Sequence, residues 1–114
     1  MHIEGMLDAL DGIDRYAPLG RERFEADELV QTFIIVQLMT LGGRASGLSP
    51  RLRAAHPQIA WDRLIVTGDD LLREYDCVDL PAVWDMVECD LPPLREQLTR
   101  ILHDLETAPN APDA

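Results

Sequence analysis

Leu71-Leu72-Arg73-Glu74-Tyr75-Asp76-Cys77-Val78-Asp79-Leu80-Pro81-Ala82-Val83-Trp84-Asp85 is the stretch whose reading decides the fold. Into it runs one amphipathic helix, marked by Trp61, Leu64, Ile65, Leu71, Leu72 and Tyr75 at helical spacing. Out of it runs another. Asp79 is placed to cap that helix, and Pro81 is tolerated in its first turn, where an N–H has no intrahelical partner anyway. The new stripe continues through Leu80, Val83, Trp84, Val87, Leu91, Leu94, Leu98, Ile101, Leu102 and Leu105. Its phase survives Pro92-Pro93, which predicts one long helix kinked near the prolines, or two nearly collinear ones. Asp-Leu-Pro stands at 79 and again at 90, so a second capped start is expected at Asp90.

Upstream, Ile3, Met6, Leu7, Leu10 and Ile13 mark a first helix, ended by Pro18 and Gly20. Phe24 is expected to pack where the chain turns back. Asp27 is a cap candidate for a second helix over Leu29 to Leu41 that is apolar nearly all round, so part of it is expected to be covered by a second subunit. Gly42 and Gly43 weaken the end of that helix. Ser49-Pro50 and His56-Pro57 bracket a connector with room for a short helix. Gly68 falls on the apolar face of the third helix, where a missing side chain lets another backbone come close. No strand pattern appears. The expected architecture is all-α: an antiparallel four-helix bundle over residues 1–106, with 107–114 a mobile tail.

A chain of 114 residues buries one core. With 5% aromatic residues, that core is built from Leu, Ile, Val and Ala. A net charge of -11 opposes constitutive binding of DNA or RNA, whose phosphates supply most non-specific affinity, and suits a basic protein partner. Cys77 and Cys89 lie in no zinc-type spacing, so no metal and no cofactor is expected. The longest apolar run, Phe33 to Leu41, is too short to span a bilayer, and the N-terminus lacks a signal-peptide pattern. A cytoplasmic protein with reduced thiols is expected.

Fragments spread along the chain resemble the HepT-like family of the HEPN superfamily of small helical RNase toxins. They are Met6-Leu7-Asp8-Ala9-Leu10, Asp27-Glu28-Leu29-Val30-Gln31, Leu48-Ser49-Pro50-Arg51-Leu52-Arg53, His56-Pro57-Gln58-Ile59-Ala60-Trp61, Val78-Asp79-Leu80 with Val83-Trp84, and Asp90-Leu91-Pro92. Their order and spacing carry the likeness over residues 1–106. The resemblance implies a dimeric HEPN bundle whose motif residues from two subunits line one cleft and cleave RNA without metal. It also implies a minimal nucleotidyltransferase of the MNT type as antitoxin partner, which transfers AMP onto the motif's Tyr (AMPylation).

That family's motif reads Arg, four to six residues, His, any residue, Tyr. Here the Tyr is Tyr75, and Arg73 stands where His belongs. Arginine neither takes nor gives a proton at neutral pH and cannot replace a histidine shuttle, although it can hold a phosphate. The motif's Arg falls on Gly68, or at a slightly different spacing on Asp69 or Thr67, none of them basic, and Asp69 and Asp70 are phosphate-repelling carboxylates. Arg73 also has a plain structural use, a helical ion pair with Asp69 four residues earlier. Glu74 reads as a solvated charge. Tyr75 reads equally as a nucleotidyl acceptor and as a half-buried ring beside Leu71 and Leu72. His56 is expected to be structural, His103 solvated and His2 frayed, none of them spaced for the motif. Arg44, Arg51, Arg53 and Arg63 gather around the connector, as a small basic patch or, in the plainer reading, balanced by nearby acids.

Three functions fit. The first is a HepT-like toxin–antitoxin component, degenerate as a ribonuclease, that keeps a homodimer and an MNT-type partner. The second is an active metal-independent RNase with a non-standard site, and RNA is a partner only in that case. The third is a helical interaction or nucleotide-binding module outside such pairs. Gly68→Arg with Arg73→His is expected to restore the motif's residue types.

Overall fold

A computed structural model describes residues 2–74 and 78–107. The expectations for Tyr75, for the thiol of Cys77 and for a mobile tail at 108–114 lie outside the described residues.

Helix α1 (His2–Asp14) buries Ile3, Met6, Ala9, Leu10 and Ile13 on one stripe. A 3-10 turn, Ala17–Leu19, carries Pro18, and Gly20 follows it at φ 89°, a conformation that side chains other than hydrogen disfavour. A short helix α2 (Gly20–Ala26) then buries Phe24 against Trp84, ring centroids 5.3 Å apart. The packing of Phe24 is as expected, but seven residues are too few for a periodic signal, and this helix was not foreseen.

Asp27 caps α3 (Glu28–Ser46). Its backbone is extended, and Oδ1 accepts from the Leu29 and Val30 N–H groups at 3.0 and 3.4 Å. Arg23 donates Nε–H to Oδ2 at 3.1 Å. That hydrogen bond, with the two backbone amides, holds the Asp27 carboxyl below its ordinary value. α3 runs on through Gly42 and Gly43 to Ser46. Ser49 caps α4 (Pro50–Ala55), its Oγ accepting from Leu52 N–H at 3.1 Å. The Trp61 indole N–H closes the connector by donating to the Arg53 and His56 carbonyls at 3.1 and 3.0 Å.

α5 (Trp61–Arg73) buries Trp61, Leu64, Gly68 and Leu71. Leu72 is 62% exposed, a correction to the expected stripe: it lies one residue, and so about 100° of helix rotation, beyond Leu71. Asp79 caps α6 (Leu80–Asp85) through Oδ1 to Ala82 N–H at 3.2 Å. A π turn, Met86–Asp90, leads directly into α7 (Leu91–Thr107), with Leu91 N–H donating to the Met86 carbonyl. The irregularity expected at the prolines therefore sits in the turn before them. Neither Pro92 nor Pro93 can donate, and widening the preceding turn keeps their rings off the carbonyls behind. The second cap expected at Asp90 is not formed. Asp90 lies inside the continuous helical run, and its carboxylate pairs instead with Arg63 at 3.0 Å.

α3 lies between α1 and α5, α1 packs on α7, and α2 leans on α3 and α6. The pairs fix the directions. His2 lies over Gly47 and Gly12 meets Phe33 and Gln37, so α1 and α3 are antiparallel. His2 is thus part of α1 and packed at its start, in place of the frayed position expected, because Gly47 leaves room for the ring. The Arg95 guanidinium reaches Asp11 and Asp14 at 2.8 and 2.7 Å and ties the start of α7 to the end of α1. The core is aliphatic apart from Phe24, Trp61 and Trp84, and among the described residues no polar or charged side chain is buried.

Candidate functional site

The C-terminal half of α5 and its C-cap Glu74 carry every described residue of the expected site, and the structure divides them. Gly68 faces inward. A Cβ there would stand 3.2 Å from Gly42 Cα and 3.5 Å from the Met39 carbonyl oxygen, while one on Gly42 would meet the Leu64 carbonyl oxygen at 2.7 Å. The expected close approach of backbones is therefore made by α3 of the same chain. It also means that a side chain introduced at 68 is directed toward the backbone of α3.

Asp69 is exposed and takes no part in the groove described next. Arg73 donates Nη2–H to Asp70 Oδ1 at 2.7 Å, so its partner is the residue three before it, where Asp69, four before it, was expected. On a helix both rows lie within reach of a long side chain, and the shorter step is taken here. Both partners are more than half exposed, and a pair of this kind contributes little. Glu74 closes α5, its backbone N–H donating to the Asp70 carbonyl at 2.8 Å.

Arg63, Thr67, Asp70 and Glu74 form one row at spacings of four, three and four, a single face of α5. With Asp79 and Val83 across the gap they line a groove of about 300 Å³ between α5 and α6. A second cavity of about 240 Å³ continues beyond Arg63 along the π turn, past Cys89 and Pro93. The Arg63–Asp90 pair spans the boundary, with Arg63 lining both. By sequence Arg63 groups with the connector and Asp90 with the caps. The helical row from 63 to 74 was the available signal for its true place.

The charges in the groove disfavour a phosphate. Asp70, Glu74 and Asp79 supply three carboxylates, Arg63 is engaged by Asp90, and Arg73 by Asp70. No histidine lines it: His2 is at the start of α1, His56 in the connector, and His103 on α7. Without an imidazole, proton transfer at neutral pH has no donor and acceptor of the usual kind there. Among the described residues no group of three or more His, Cys, Asp or Glu could hold a metal ion. None of their helices is long and apolar enough to cross a membrane.

An all-α bundle with a short connector, a capped break after the third long helix and an interrupted fourth defines the class as a HEPN-like helical domain. The family model described as ribonuclease HepT-like matches residues 6–101, and the chain belongs to that family. A Thermococcus cleftensis protein named "Probable ribonuclease HepT" is 24% identical over 101 residues, covering 88% of this chain and 92% of its own length. A Methanocaldococcus jannaschii protein named "Gamma-glutamylcyclotransferase and putative RNase" is 25% identical over 111 residues, covering 96% of this chain. The chain spans half the length of that second relative. No solved structure gives a significant match.

Proposed function

We propose that this chain is the HepT-like component of a toxin–antitoxin pair, degenerate as a ribonuclease, that retains a homodimer and binding to an MNT-type nucleotidyltransferase. The observation that carries the reading is the Gly42–Gly68 contact. At the motif's shortest spacing its Arg falls on Gly68, which helix packing takes up, and Arg73, in the place of His, cannot shuttle a proton. Tyr75 remains as the acceptor of a nucleotidyl group in this proposal.

The homodimer is supported by the outer face of α3. Leu29, Thr32, Val36, Thr40 and Gly43 are exposed and uncharged on a chain of net charge -11, and Leu29 is 82% exposed. Two acidic copies repel one another least where such faces meet, and an isologous contact uses the same face twice. Sedimentation of the wild type and of Val36→Arg tests this. A dimer that Val36→Arg converts to monomer supports it, and a monomeric wild type contradicts it.

The ribonuclease reading is tested by incubating purified chain with RNA in chelator. The account predicts no cleavage. Turnover that Arg73→Ala abolishes would establish the second reading, an active enzyme with a non-standard site.

A further inference from the structure

We infer that the pocket between the α4 connector and the start of α5 is a binding site for a phosphate oxyanion, the chemistry shared by an RNA backbone and free phosphate. It lies apart from the α5–α6 groove and does not depend on whether the chain cleaves RNA.

The charge distribution singles out this region. Residues 29–61 contain no Asp or Glu, although the chain has 21 acids, and they contain Arg44, Arg51 and Arg53. Folding gathers part of this stretch into a concave surface of about 500 Å³ lined by Arg53, Trp61 and Arg63, with Asp62 its one carboxylate. Arg51, on the same short helix, is exposed.

The hydrogen bonding points the same way. Arg53 makes no ion pair among the described residues, and its Nε is buried without an acceptor. An oxyanion in the pocket is met by the outer N–H groups of that guanidinium, whose fork matches phosphate geometry. The floor is fixed because the Trp61 indole is held by the Arg53 and His56 carbonyls. Arg63 also lines the pocket, but it is held by Asp90 at 3.0 Å, so Arg53 is the cation that meets the oxyanion. The acidic α5–α6 groove offers an anion no comparable place.

The two tryptophans provide the test. Trp61 lines this pocket, whereas Trp84 packs on Phe24 and does not. The indole N–H signals of the full chain are followed by NMR during separate titrations with inorganic phosphate and with an oligouridine decamer at constant ionic strength. The expected result is a saturable shift of the Trp61 signal with Trp84 unmoved. Arg53→Gln should weaken binding about tenfold, Arg53→Lys less, and Arg100→Gln, on α7 and outside the pocket, not at all. Tighter binding of the decamer at the same signal identifies an RNA backbone as the ligand, and binding of phosphate alone identifies the free ion. Absence of a Trp61 shift with both ligands, equal movement of both indoles, or undiminished binding by folded Arg53→Gln overturns the inference.

Discussion

Gly68 on α5 meets Gly42 on α3 with no side chain between them. Two helices joined at glycine approach more closely than larger residues allow, and this contact fixes how α5 is rotated. The rotation in turn places Arg63, Thr67, Asp70 and Glu74 along the α5–α6 groove.

The contact gives a paired prediction on stability. Gly42→Ala puts a Cβ 2.7 Å from a backbone oxygen and should destabilise the fold by about 1–3 kcal/mol, the usual range for overpacking. Gly43→Ala meets nothing within 4 Å and should stabilise by about 0.5–1 kcal/mol through helix propensity. Urea denaturation of both variants checks the opposite signs. Gly68→Arg is expected to yield no folded protein, with or without Arg73→His.

Asp27 ties stability to acid. Its folded carboxyl is held below the ordinary value, chiefly by Arg23 and then by the Leu29 and Val30 amides. Its contribution is therefore present above the unfolded carboxylate value, near pH 4, and is lost as pH falls through the lower folded value. Thermal melts between pH 7 and pH 2 should show Asp27→Ala less stable at neutral pH, with the difference from wild type shrinking in acid. A difference that stays constant with pH contradicts this origin.

The ion pairs are expected to differ in weight. Arg73→Ala should change stability by no more than about 1 kcal/mol, since both partners are exposed. Arg95, 33% exposed and shared by Asp11 and Asp14, joins two helices, and Arg95→Ala should be the more damaging of the two. Parallel denaturant titrations rank them.

Much of this fold was legible in the sequence because its signals are local. Asp27 and Asp79 sit just before apolar runs, the stripes of α1 and α7 keep helical phase, and Gly68 falls on a buried face. The features that were not legible depend on packing between elements or on very short segments. α2 has too few residues for a period. The exposure of Leu72 depends on how Gly42 rotates α5. Asp90 has the sequence of a cap, yet its carboxylate is drawn to Arg63 on another helix. In the site, Asp69 and Asp70 are equivalent by spacing, and only the structure shows that Arg73 takes Asp70.

The nucleotidyl-acceptor proposal has its own mass-spectrometric test. Incubation with an MNT-type nucleotidyltransferase and ATP should add AMP to the wild type and not to Tyr75→Phe. An adduct that persists in Tyr75→Phe places the acceptor elsewhere.

We propose that helix packing at Gly68 and the arginine at 73 have removed ribonuclease chemistry from this HepT-like bundle. It is tested most directly by an RNA cleavage assay on the purified wild type and Arg73→Ala in chelator. The account predicts that neither cleaves RNA above the buffer control. Cleavage by the wild type that disappears in Arg73→Ala would contradict it.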